Sequence, residues 1–131
     1  MTATSMTATR YTKDHEWIRP EAEEGVFRIG ITAHAAKSLG DLVYVELPEP
    51  GRKVTAGEAC AVVESVKAAA DVYAPIAGEV RAVNGAVATD PALVNRDPEG
   101  EGWFFTLRAD DPKAFEALLD EAAYRAFLET L

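Results

Sequence analysis

Three features of this 131-residue sequence predict an all-β fold with a helical C-terminal extension. β-Branched and aromatic residues recur in short runs, at Val26–Ile31, Leu42–Leu47 and Gly102–Arg108, and such runs read as strands. Between Val54 and Val83 the turn signals crowd together, at Thr55-Ala56-Gly57, Ala74-Pro75 and Ala77-Gly78. Short strands at that spacing argue for a small sandwich or barrel. Beyond Asp111-Pro112 the pattern changes to helical periodicity.

Taken in order, residues 1–9 repeat Met-Thr-Ala-Thr and read as a disordered tail, leaving 10–131 as one domain. Tyr11 to Arg19 reads as extended chain stopped by Pro20. The acidic stretch Glu21, Glu23, Glu24 with Gly25 reads as a turn before the strand Val26–Ile31. Thr32 is placed to cap a short helix from Ala33 to Leu39, and Gly40 to stop it. The strand Leu42–Leu47 ends in the turn Pro48-Glu49-Pro50-Gly51. The stretch Glu58 to Asp71 is ambiguous. Its alanines, glutamates and lysine favour helix, while its valines and its Gly and Pro boundaries favour two strands joined at Val66-Lys67. Glu79–Val83 reads as a strand ending at an Asn84-Gly85 turn, and 90–102 as irregular loop. Asp111 and Pro112 open a helix over Lys113 to Leu119. Asp120 caps a second helix whose apolar face holds Tyr124, Phe127, Leu128 and Leu131.

The net charge of −9 disfavours nucleic acid and anionic membrane surfaces as partners and suits docking onto basic patches of larger proteins. No apolar run approaches the ~20 residues of a membrane span. The start lacks a secretion signal's apolar core, and Arg10 alone is too little arginine for a transit peptide. The expected compartment is the bacterial cytoplasm rather than the mitochondrial matrix. The single cysteine, Cys60, cannot form an internal disulfide and reads as a small buried hydrophobe.

Catalytic signatures are missing. His15-Glu16-Trp17 begins like a zinc-protease motif, but Arg19 stands where the second histidine belongs. His15 and His34 are the only histidines, too few for a typical zinc site. There is no nucleophile elbow, phosphate loop or dinucleotide fingerprint. A carrier or binding module is therefore favoured over an enzyme. The strongest handle is Lys67, in Val62-Val63-Glu64-Ser65-Val66-Lys67-Ala68-Ala69-Ala70-Asp71-Val72. If Lys67 lies at the tip of a tight turn, its amine, set among small and apolar residues, is accessible to an enzyme that attaches a prosthetic arm.

The segments Gly51-x-x-Val54-x-x-Gly57-Glu58, Val62-Val63-Glu64-Ser65-Val66-Lys67-Ala68 and Val72-x-Ala74-Pro75-x-x-Gly78-Glu79-Val80 resemble the lipoyl/biotinyl carrier domain. With Tyr11-Thr12-Lys13-Asp14-His15-Glu16-Trp17, Gly30-Ile31-Thr32, Leu39-Gly40-Asp41, Val45-Glu46-Leu47-Pro48 and Asn95-x-Asp97-Pro98-x-Gly100-Glu101-Gly102-Trp103, the chain resembles the H-protein family of the glycine cleavage system from about Arg10 to its end.

The resemblance implies a flattened barrel-sandwich hybrid of two small sheets with short helices and a C-terminal helical extension from about 112. Glu58 to Val72 becomes a hairpin with Lys67 at its turn. The resemblance also implies lipoate in amide linkage on Lys67, flanked by Glu64, Ser65, Val66 and Ala68, and a shuttle with no catalysis of its own. The implied partners are glycine decarboxylase (P protein), which loads an aminomethyl group, aminomethyltransferase (T protein), dihydrolipoyl dehydrogenase (L protein), and the lipoate-attaching enzymes. The loaded arm is prone to lose formaldehyde and ammonia and folds into a cleft in the family. Glu16, His34 and Asp71 are the residues carried over to that cleft, although Glu16 also reads as a sheet-edge carboxylate and His34 as a helix surface residue. Two rival functions remain. A biotin carrier would flank its lysine with methionines, where this chain has Val66 and Ala68. A lipoyl relay for other lipoate-dependent complexes fits the same residues.

Overall fold

In a computed structural model of the protein, residues 8–131 are described. The expected tail falls mostly outside the described residues. Its last member, Thr9, accepts a hydrogen bond from Arg19 Nε at 3.0 Å.

The described strands form two antiparallel sheets. The larger contains β1 (Arg10–Tyr11), β2 (Glu16–Pro20), β3 (Val26–Ile31), β5 (Lys53–Val54), β8 (Gly78–Val83) and β9 (Phe105–Ala109), in the order β1-β2-β3-β9-β8-β5. The smaller contains β4 (Leu42–Glu46), β6 (Ala59–Ser65) and β7 (Ala69–Tyr73), in the order β4-β6-β7. The two-sheet arrangement is the expected one, but no ladder joins the sheets among the described residues, so the barrel is not closed. The two sheets share one core, with Ile18, Ile29, Phe105, Leu107 and Val80 from the larger and Val45, Val63 and Val72 from the smaller. Each such side chain contributes about 1.5–3 kcal/mol of hydrophobic stabilisation.

Among the described residues, four short helices connect and cover the sheets: α1 (Ala33–Leu39), α2 (Gly85–Thr89), α3 (Ala92–Arg96) and α4 (Glu121–Leu128). The caps of α1 are as read. Thr32 accepts a hydrogen bond from Ala35 N, and Gly40 ends the helix at φ +83°. None of the described helices is long and apolar enough to cross a membrane. A second cluster, Tyr11, Trp17 and Tyr124 with Leu119, Phe127 and Leu128, seats α4 against the sheet. The Tyr11 and Tyr124 rings stack at 4.6 Å. Trp17 lies flat on Gly30, its register partner, where any Cβ would stand 2.8 Å from the indole.

The ambiguous stretch is two strands, because its alternating residues Cys60–Ala61, Val63 and Val72 reach the shared core. Propensity yields to burial there. Elsewhere the structure corrects the reading. Asn84 does not turn a hairpin: its Oδ1 caps α2 while its Nδ2 donates to Glu101 O and Trp103 O. The segment expected to be irregular loop, 90–102, contains α3, whose Val94 is fully buried. The last strand starts at Phe105 rather than Gly102. The first C-terminal helix is a 3-10 segment, Pro112–Ala117, capped by Asp111. Leu131 is 69% exposed and leaves the apolar face that Tyr124, Phe127 and Leu128 form. Pro20 does not stop β2 but is its last paired residue, opposite Phe27. β1 reaches only as far as Ile18, so no ladder bond is missed.

Candidate functional site

Lys67 occupies the turn between β6 and β7. The turn is tied by Ser65, which is buried. Its N donates to Ala68 O at 2.7 Å, and its Oγ accepts from Lys67 N at 3.2 Å and Ala68 N at 3.0 Å. One small hydroxyl therefore accepts from the Lys67 and Ala68 N–H groups, which the turn's own backbone bond leaves over. Val66 N donates to Asp41 O at 3.2 Å, anchoring the turn to the loop between α1 and β4. Val66, Lys67, Ala68 and Ala69 are all exposed, and so is Glu64. The Lys67 stem runs over Gly40, where a Cβ would lie 3.4 Å from Lys67 Cε. The amine makes no ion pair among the described residues. It is thus exposed on a hydrogen-bonded hairpin, and its small neighbours Ala68 and Ala69 leave room for an attaching enzyme and for an arm.

Strand β7 leads from this turn to a cleft of about 360 Å³. Its apolar lining is Ile31, Ala35, Leu39, Val63, Ala70 and Val72. Its polar lining is Asp14, His15, Glu16, His34, Ser38 and Asp71. Glu16, His34 and Asp71, separated in sequence, therefore meet in one cavity. Their situations differ. Asp71 and His34 are exposed, on β7 and α1. Glu16 is 2% exposed, on a strand paired on both sides, so it is not a sheet-edge carboxylate. Its Oε1 accepts from Thr12 Oγ1 at 2.7 Å and its Oε2 from Tyr73 N at 2.9 Å. The second bond crosses from the larger sheet to the smaller, so Glu16 braces the cleft wall. Burial pushes its carboxyl up to about 7, the two hydrogen bonds pull the other way, and the nearby Asp14 charge adds to the rise.

Sequence reasoning missed Asp14, His15 and Ser38 as lining residues. Ser38 had a usable signal, since residues four apart on a helix share a face and His34 is its partner on α1. His15 had none. It stands in the left-handed region at φ +68°, a conformation that costs a non-glycine residue about 1–2 kcal/mol. Tertiary contacts hold it there. Its Nδ1 is 2.8 Å from Tyr124 Oη, its ring lies 4.6 Å from the His34 ring, and Thr32 Oγ1 is 2.9 Å from the same tyrosine oxygen. Burial, then the neighbouring His34, lowers the His15 pKa below its ordinary value. Through these contacts α4 fastens one side of the cleft. Cys60 behaves as expected of a buried hydrophobe. It is 6% exposed, its thiol points at Val72 O, and burial pushes its pKa to about 12.

Comparison with known proteins places this geometry. Residues 9–131 match the model of the glycine cleavage H-protein family. A glycine cleavage system H protein of Acidiphilium cryptum is 60% identical over 126 residues, covering 96% of this chain and all of the relative. One from Escherichia coli K12 is 53% identical over 120 residues, covering 92% of each chain. The crystal structure of a glycine cleavage system H protein from Mycobacterium marinum superposes with a TM-score of 0.82 at 40% identity, over 95% of this chain and 98% of that one. The chain belongs to the glycine cleavage H-protein family, the lipoyl carriers of the glycine cleavage system.

Proposed function

We propose that Lys67 carries the lipoate, joined as an amide to Nζ, and that the adjoining cleft shelters the loaded arm. The observation that carries this reading is one exposed lysine on a tied hairpin whose own strand, β7, lines a cleft with a carboxylate four residues on, at Asp71. Within the strand, Ala69 to Asp71 span about 7 Å at ~3.3 Å per residue. The residues present suit the group: an apolar lining for an aliphatic arm, and a carboxylate for a cationic tip. When bound, lipoate supplies a dithiolane that accepts an aminomethyl group and electrons. Everything else falls to the chain. Ser65 holds the turn, the small Ala68 and Ala69 leave the approach open, Ile31 and Val63 exclude water, and Asp71 offers a charge-assisted hydrogen bond to an ammonium. Glu16 keeps the wall in place.

In this reading residues 10–131 are a single carrier domain without turnover of its own. It serves in turn the glycine decarboxylase, the aminomethyltransferase and the dihydrolipoyl dehydrogenase, after a lipoate-attaching enzyme has modified it. The test is the rate at which loaded protein releases formaldehyde or ammonia in the absence of the folate-dependent partner. Removing the charged hydrogen bond with Asp71→Asn is expected to speed release roughly tenfold to a hundredfold, from a bond worth about 1.5–3 kcal/mol. Equal rates in wild type and variant would remove Asp71 from the role.

A further inference from the structure

The loop beneath the Lys67 hairpin is held by Asn95, on α3. The loop beneath the hairpin, Gly40–Leu42, connects α1 to β4, and its middle carbonyl, Asp41 O, receives Val66 N. Asn95, on α3, grips that loop on both sides of Asp41. Its Nδ2 donates to Gly40 O at 2.8 Å, and its Oδ1 accepts from Leu42 N at 2.9 Å. A primary amide, with one donor end and one acceptor end, satisfies both neighbouring peptide groups at once. Gly40, at φ +83° and ψ −159°, adopts a backbone conformation almost confined to glycine, one that persists where its surroundings fix it. The same Gly40 is the surface over which the Lys67 stem runs. Asn95 itself is not part of the cleft lining and is half-buried.

We propose that Asn95 is a positioning residue for Lys67. It fixes the Gly40–Leu42 loop so that Asp41 O meets Val66 N and the lysine is presented in one place. Without it the hairpin samples several orientations, and an attaching enzyme meets a partly populated competent state. A partly populated state raises the apparent KM in proportion and leaves kcat alone. The proposal rests on Lys67 being the attachment point, yet its first readout is independent of that.

The experiment compares Asn95→Ala and Asn95→Asp with wild type. The aspartate keeps the acceptor for Leu42 N and sets a carboxylate against Gly40 O. A third variant, Asn84→Ala, serves as control. It removes the α2 cap, so it lowers global stability without touching the loop. Amide hydrogen exchange of unmodified protein is measured first. Val66 N–H is expected to exchange about tenfold faster in both Asn95 variants, the scale of one lost hydrogen bond, while Ile29 and Leu107 in the core strands and the Asn84→Ala hairpin keep wild-type protection relative to global stability. Lipoyl transfer by a lipoate-attaching enzyme is measured second. KM is expected to rise about tenfold with kcat unchanged in the Asn95 variants only. Wild-type protection of Val66 in a folded Asn95 variant, or an equal rise of KM in Asn84→Ala, would overturn the proposal. A wild-type protein that takes no lipoate on Lys67 would instead sink the function reading, and the exchange data would still decide the role of Asn95.

Discussion

Lys67 and Glu16 both belong to the proposed site for the arm and are built in opposite ways. Lys67 is exposed, its backbone is tied by Ser65 and Asp41, and its side chain is left free. Glu16 is buried, and both its carboxylate oxygens are engaged, by Thr12 and by the backbone of β7. The first arrangement keeps an amine available for chemistry supplied from outside. The second spends a titratable group on holding two sheets together beside the cleft. A short run of sequence marks the lysine, whereas the anchoring of its turn on Asp41 and the Glu16 brace both exist only after the chain has packed. Charged residues near a site therefore divide by burial before they divide by role.

The comparison breaks most sharply at the lysine. Lys67→Arg is expected to abolish glycine–bicarbonate exchange assayed with a glycine decarboxylase, since a guanidinium cannot replace the acceptor amine. Its thermal unfolding is expected to match wild type, because the side chain is exposed and surface changes of this kind stay within about 0.5 kcal/mol. Residual exchange in that variant would mean that another lysine serves.

Glu16 supplies the next effect, and it is pH-dependent. The folded carboxyl, at about 7, lies above its ordinary value of 4.5, so the folded state holds the proton more tightly. The favourable contribution is complete below pH 4.5 and is lost as pH rises to 7, a change of about 3 kcal/mol. Glu16→Gln cannot ionise. Its stability relative to wild type is therefore expected to improve by about that amount between pH 4.5 and pH 8, as read from urea unfolding. A constant difference over that range would show that Glu16 does not feel its burial.

Two smaller effects sharpen the account. Gly40→Ala forces a Cβ into a backbone region that costs about 1–3 kcal/mol and against the Lys67 stem, so it lowers stability and lipoyl transfer together. Unchanged values for both would show that the loop relaxes freely. Tyr124→Phe keeps the stack on Tyr11 but loses the contacts to His15 and Thr32, with an expected loss of about 1 kcal/mol in urea unfolding. No loss would mean that those polar contacts are replaced by water.

These residues also show what could be read in advance. Strands marked by β-branched runs, the Thr32 and Gly40 caps and the cap at Asp111 all have local causes, and local causes are written in neighbouring residues. The hairpin over 58–72 was not legible from propensity, because alanine-rich strands are sustained by the core beneath Val63 and Val72. The Asn84 cap and the helix 92–96 escaped because both are fixed by long-range partners, Glu101, Trp103 and the pocket around Val94. The same reason hid His15 and the bracing role of Glu16, whose partners lie 109 and 57 residues away.

The central claim is that Lys67 alone bears the arm. The direct measurement is the intact mass, with peptide mapping, of the full chain co-expressed with a lipoate-attaching enzyme, beside its Lys67→Arg variant. The expected result is a single lipoyl group on the wild-type peptide containing Lys67 and none on the variant. A lipoyl group at Lys13, Lys37, Lys53 or Lys113 in either protein, or biotin in its place, would contradict the account.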